Sequence, residues 1–164
     1  MIEITLTDTG GFGGCTDFMH SLDSAEDILI ENCCRCIGVI LLWERKTDCP
    51  KHVIATKYVV SGFHIPPYGG DARNSRKQFF RILKDFKKWF NLQAVYYCGG
   101  KINTEINRMH YERSKKFFIH PIQYLFPGAL IDGVEPLPLQ HSATMYMNEL
   151  LEIIVERCEY ATEP

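Results

Sequence analysis

The sequence predicts one α/β (α+β) domain over residues 1–164, with a mixed, mostly antiparallel central sheet and helices on both of its faces. Three observations carry that expectation. Cys36 to Glu44 is a nearly unbroken apolar run, the pattern of a strand covered on both faces. Val53 to Val60 is β-branched and aromatic and follows a Thr47-Asp48-Cys49-Pro50 turn, so the two runs read as a hairpin. Beyond residue 70, helix-like and strand-like stretches alternate, as they do when helices pack on a sheet.

Taken in order, Ile2 to Leu6 alternates as a short first strand, and Gly10-Gly11-Phe12-Gly13-Gly14 reads as a loop after it. Its glycine spacing does not make a dinucleotide fingerprint. Ser24 with Asp27 is a variant capping box that predicts a short helix from Ala25 to about Glu31. Ser61 to Gly70 is a loop by its proline and glycine content. Asn74 or Ser75 then caps a helix whose Phe79, Phe80, Ile82, Leu83, Phe86, Trp89 and Phe90 form one apolar face. Arg76, Lys77, Arg81, Lys84, Lys87 and Lys88 form the opposite face. Ala94 to Cys98 is the next strand, and a helix over about Thr104 to Lys116 sets Ile106, Met109, Arg113 and Phe117 on one side. Phe118 to Phe126 reads as a strand, with Pro121 placing it at an edge or bulge. Residues 127–138 read as irregular, Ala143 to Met147 as a strand, and Leu150 to Cys158 as a closing strand or helix.

The composition bounds the class. With 164 residues, 46% hydrophobic and 12% aromatic, the chain can bury a core. The first residues lack the basic and apolar regions of a signal peptide, and no apolar run approaches the ~18–20 residues of a membrane span. Seven cysteines are an odd set in a chain of this length, which favours reduced thiols and a cytoplasmic location over a disulfide framework. The net charge of −2 conceals an asymmetry: residues 1–71 carry −5, residues 72–119 carry +9 and residues 120–164 carry −6. A field of that kind steers an anionic ligand or partner, although the acidic tail could equally pack beside the basic middle.

The strand–loop–helix unit at residues 53–90 therefore carries the main functional expectation. Free N–H groups at a helix start bind anions, and Arg73 and Arg76 add charge-assisted bonds there. The plainer reading is a crossover with a solvated basic face. Nucleic acid is a second possible partner, because Tyr96, Tyr97, His110 and Tyr111 are interspersed with the basic residues. Cys34-x-Cys36 with Cys49-x-x-His52 offers four zinc donors, but the first pair is closer than usual, so small buried thiols are the preferred reading and no metal is expected.

A family resemblance adds to this. The order strand, glycine-containing loop, amphipathic helix, strand, followed by Asn103 and a helix through His110, Tyr111, Ser114 and Phe117, resembles the second half of the GNAT fold of N-acetyltransferases over about residues 36–126. The resemblance implies acyl transfer from acetyl-CoA or another acyl-CoA to an amine. Acyl-CoA would lie along Val59 and Val60, with its pyrophosphate over the loop and helix start at Arg73, Asn74, Ser75 and Arg76, and Asn103 beside it. Tyr111 would protonate the departing thiolate, and Glu44 or His64 would serve as general base. The helix opening, Asp71-Ala72-Arg73-Asn74-Ser75-Arg76, carries side chains where the family signature has glycines. That departure is shared with GNAT-like internal virion proteins of T7-like phages. The alternative it implies is a catalytically silent structural or interaction protein, in a host cytoplasm or a virion, with a protein partner.

Overall fold

The computed structural model describes residues 2–4, 22–23, 28–31, 33–51, 57–65, 72–148 and 150–159. The expected glycine-rich loop at 10–14, the first part of the 53–60 strand and His52 lie outside them. Among the described residues the chain forms β1 (Ile2–Ile4), β2 (Leu22–Asp23), β3 (Ile28–Ile30), β4 (Ile37–Arg45), β5 (Tyr58–Ile65), α1 (Ala72–Lys87), β6 (Phe90–Gly99), α2 (Glu105–Leu125), β7 (Leu130–Gly133), β8 (Gln140–Met147) and β9 (Ile153–Glu159). No helix there is long and apolar enough to cross a membrane.

β4 and β5 form the expected antiparallel hairpin, from Ile37 opposite Ile65 to Glu44 opposite Tyr58. β6 pairs antiparallel with the other edge of β4, with a bulge between Leu42 and Trp43. β7 adds parallel to β6 and β2 antiparallel to β5, giving the order β2-β5-β4-β6-β7. A second sheet has the order β1-β3-β8-β9, in which β1 and β3 alone run parallel.

Side-chain alternation along β4 divides the interior in two. Ile37, Val39, Leu41 and Trp43 face the helices, where Phe79 and Leu83 of α1 and Phe118, Ile122 and Leu125 of α2 meet them. Ile40 faces the other way, with Val60 and Cys98, onto Ile28, Ile30, Ala143, Met145 and Met147 of the second sheet. The two helices also pack on each other. Both helices therefore cover one face of the five-stranded sheet, and a sheet covers the other, which corrects the expectation of helices on both faces. The apolar run of β4 required two covers but could not specify what they were.

Other expectations change with it. Residues 28–30 are a strand rather than part of a helix: Ile28 and Ile30 are fully buried, and their backbone is paired on both sides. β5 runs on to Ile65 through residues read as loop, because Ser61 to Ile65 are buried between the layers. α1 begins at Ala72, so Asn74 and Ser75 lie inside it rather than at its cap. α2 starts where expected, with the Thr104 hydroxyl accepting from Asn107 N at 3.1 Å, but it continues through Pro121 to Leu125. Tyr111, Ser114, Phe118, Ile122 and Leu125 are buried at helical spacing, and that stripe outweighs the hydrogen bond a helical proline removes. The stripe leaves Ile106 and Met109 at the surface. A short strand, β7, forms within 127–138, and 153–159 closes as a strand.

Trp43 is the largest fully buried side chain. Its indole donates to Ser61 Oγ at 2.7 Å, and its ring lies 4.9 Å from Phe86 and 5.4 Å, edge on, from Phe126. It ties the hairpin to α1 and to the end of α2. Trp43→Ala should lower unfolding stability by about 3–5 kcal/mol, read by urea denaturation. Leu130→Ala, on the exposed side of β7, should change it by no more than about 0.5 kcal/mol.

Candidate functional site

The helical layer carries the basic surface. On α1, Lys77, Arg81, Lys84 and Lys87 are exposed, and Lys88 follows just past its end; on α2, Arg108, Arg113, Lys116 and His120 are exposed. Between the two helices lies a cleft of about 610 Å³ lined by Lys77, Phe80, Arg113, Lys116, Phe117, His120, Pro121 and Tyr124. Among the described residues no carboxylate lines it. Tyr124 is 78% exposed, with its ring 6.2 Å from that of Phe80, and Lys84 lies over the Phe80 ring at 5.7 Å. A cleft with cations on both walls and aromatic faces between them suits a planar anion or a run of phosphates with bases.

Nearer the start of α2, four polar side chains converge. Tyr111 donates to Glu135 Oε2 at 2.6 Å and Tyr97 to Glu135 Oε1 at 2.9 Å, and the Lys115 ammonium pairs with the same carboxylate. Arg157 donates to the Glu135 backbone oxygen at 3.0 Å. Lys115 lies 5.3 Å and 5.7 Å from the ring centres of Tyr97 and Tyr111. Gly100, with φ +87°, leaves room for the Tyr111 ring, which a Cβ there would meet at 2.4 Å. Burial works against the Glu135 charge, but the bonds from Lys115, Tyr111 and Tyr97 outweigh it and hold the carboxyl below its usual range. Burial first, then the bond to Glu135, pushes the Tyr111 phenol far up. A phenol so placed keeps its proton and acts as a clamp between α2 and the segment after β7.

The second cluster lies on the other face of the sheet. Cys33, Cys36 and His64 bring their donor atoms within 4.8 Å of one another, all three buried, with Cys36 Sγ 3.1 Å from His64 Nδ1. The Cys33 thiol also contacts Cys98. Its hydrogen bond to Cys33 is the first cause that holds the Cys36 thiol well below the usual range; burial opposes this and His64 reinforces it. Cys33 is pushed well up by its hydrogen bonds with Cys36 and Cys98, and then by burial. Cys36 is therefore the thiol of the pair whose charged form its neighbours favour, and it faces the imidazole.

Of the residues expected at an acyl-transfer site, Glu44, His64 and Tyr111 do not come together. His64 pairs with Gly38 and Glu44 with Tyr58, near opposite ends of the hairpin; Glu44 lies 3.9 Å from Lys57. Tyr111 packs among the residues of the helix-side core, so the sheet separates it from His64. Val59 and Val60 are fully buried, and both edges of their strand are taken: Val59 pairs with Trp43 and Asp23, Val60 with Leu42 and Leu22. Arg73, Asn74, Ser75 and Arg76 lie in the first turns of α1, and their side chains fall outside the described structure. Asn103 is exposed and accepts from Asn107 Nδ2 at 2.6 Å, next to the cap of α2. Of the four donors weighed for zinc in the sequence, Cys36 joins the buried cluster, and His52 lies outside the described residues. Cys34 is half-buried, and the Cys49 thiol contacts the Pro50 carbonyl at 3.8 Å.

Sequence reading missed Cys33, His64 as a partner of Cys36, and Glu135. The Cys33-x-x-Cys36 spacing was a signal for the first. Strand register, which the sequence does not display, supplies the others. Compared with known proteins, the chain matches no family model and no curated protein. What the structure defines is a mixed α/β protein with two helices over two mostly antiparallel sheets, counted among the described residues.

The Glu135 network makes a pH prediction. A carboxyl held low in the folded protein contributes stability above the ordinary carboxylate range near pH 4.3 and loses it as pH falls through the folded value. Glu135→Gln should therefore be less stable than the native protein at pH 7, and the gap should close as the solution is acidified below about pH 4. Denaturant midpoints across the pH range would show it. A gap independent of pH would mean that the carboxylate charge contributes nothing.

Proposed function

We propose that the helical face binds a polyanion, with single-stranded nucleic acid the class its chemistry suits best. The supporting observation is the cleft between α1 and α2, where Lys77 stands across from Arg113, Lys116 and His120 with Phe80 and Tyr124 beside them. Cations placed this way neutralise successive phosphates, and an exposed ring on the cleft wall offers a stacking surface to any base. The reading accounts for the +9 charge of residues 72–119 through a surface rather than through a catalytic centre. It is compatible with the non-catalytic interaction role that the sequence suggested. The acyl-transfer reading has less support, because its expected bases Glu44 and His64 and its expected acid Tyr111 stand apart.

The test is fluorescence anisotropy with a labelled single-stranded oligonucleotide over a range of salt concentrations. Affinity should fall steeply with salt, and Lys77→Glu with Lys116→Glu should flatten the slope by about 0.7 for each phosphate that is no longer neutralised. Tyr124→Ala should cost about 1–3 kcal/mol of binding with little change in the slope. Binding indifferent to salt and to all three substitutions would overturn the proposal. Saturable thermal stabilisation by acetyl-CoA, without oligonucleotide binding, would favour acyl transfer instead.

A further inference from the structure

The group of thiols and imidazole beneath the five-stranded sheet has no part in the polyanion reading, and its construction is specific. Cys98 and His64 stand on the two strands flanking β4, and both are in register with Gly38. That row, Cys98–Gly38–His64, crosses three strands, and its centre lacks a side chain. The space is filled from above: a Cβ on Gly38 would lie 2.9 Å from Cys33 Sγ. Cys33 is held there by its backbone, which exchanges hydrogen bonds with Ala143 of β8 at 2.8 Å and 3.2 Å. Cys36 is held by its carbonyl, which accepts from Gly100 N at 2.9 Å. Gly99, at φ +94°, lets β6 end under this turn, since a Cβ there would lie 2.4 Å from Cys33 Cβ and 2.8 Å from the Cys36 oxygen.

We propose that Cys33, Cys36 and His64 form a structural zinc site that joins the two sheets. Cys98, which touches the Cys33 thiol but lies outside the close trio, moves in as the fourth donor on loading. Three lines of chemistry favour zinc. The donors are three thiols and one imidazole, a Cys3His set that closed tetrahedral zinc sites use, and the Cys33-x-x-Cys36 pair has a usual ligand spacing. Zn–S bonds of about 2.3 Å and Zn–N bonds of about 2.0–2.1 Å set neighbouring donors roughly 3.5–3.8 Å apart. The 3.1 Å contact between Cys36 and His64 and the 4.8 Å limit on the whole trio bracket that spacing. Finally, Cys33, His64 and Cys98 are fully buried and Cys36 nearly so, which closes the site to substrate and to a partner thiol. The site is thus structural rather than catalytic or disulfide-exchanging. On loading, Zn²⁺ replaces the protons of the thiols that ligate it, and those protons pass to solvent. No oxidant or reductant takes part.

The full-length chain, purified under reducing conditions without chelator, should carry close to one zinc per chain by elemental analysis. Exchange for Co²⁺ should give the thiolate charge-transfer band and the visible absorption of a tetrahedral cobalt site. Zinc removal by a strong chelator should lower the melting temperature, and stoichiometric zinc should restore it. Cys36→Ser and Cys98→Ser should each lose the cobalt spectrum, whereas Cys49→Ser, at a buried thiol outside the group, should keep it. Where a serine variant fails to fold, the metal content and cobalt spectrum of the unsubstituted chain decide alone. Zinc far below stoichiometric together with no cobalt spectrum, iron in its place, or a Cys49→Ser chain as metal-poor as Cys36→Ser would overturn the assignment.

Discussion

β4 is bonded along both edges and covered on both faces, and the placement of everything else follows from that double constraint. A strand in the middle of a sheet can leave neither its backbone nor its side chains to water. Its edges are taken by β5 and β6, which sets the spacing of all five strands. Its odd-numbered side chains need one cover and its even-numbered ones another. The helices supply the first through Phe79, Leu83, Phe118 and Ile122. The second sheet supplies the other through Ile28, Ile30, Met145 and Met147.

The same division separates the two chemistries. Because α1 and α2 spend their apolar stripes on the sheet, their cationic residues face outward together, and the cleft between them gathers charge from both. Beneath the sheet, the thiols and imidazole lie buried between the layers, where polar groups must find partners inside. His64 and Cys36 do so with each other. The cationic residues of the cleft thus lie on one side of the sheet and the thiol–imidazole cluster on the other.

How much of this was legible in the chain depends on whether the signal was local. The apolar run of β4 and the stripe of α1 repeat over many residues, so their periods can be read directly. β3 has three residues, too few for a period, and its identity comes from β1 and β8 on either side. The helix through Pro121 defied the usual meaning of proline because Phe118, Ile122 and Leu125 share a face that local reading divided between a helix and a strand. Gly62 and the prolines after Ile65 made the end of β5 look like loop. In the candidate sites, the basic residues were visible, but the meeting of Lys77 with Lys116 and His120 depends on helix packing. Cys33-x-x-Cys36 was present as a spacing, and only the register of β4 with β5 and β6 brings His64 and Cys98 to it.

The pairing of β3 with β8 joins residues 28–30 to residues 145–147, and this separation has a consequence for synthesis. Contacts between such distant segments form late, because the loop between them must close first. As the chain leaves the ribosome, the hairpin and α1 can assemble while Ile28, Ile30 and the cysteines that follow them still lack their cover. During that interval the thiols of Cys33 and Cys36 are open to oxidation, and the underside of the sheet is an adhesive surface for other chains. The arrival of β8 ends both exposures at once, because it supplies the strand that pairs with β3 and the side chains that cover the thiols.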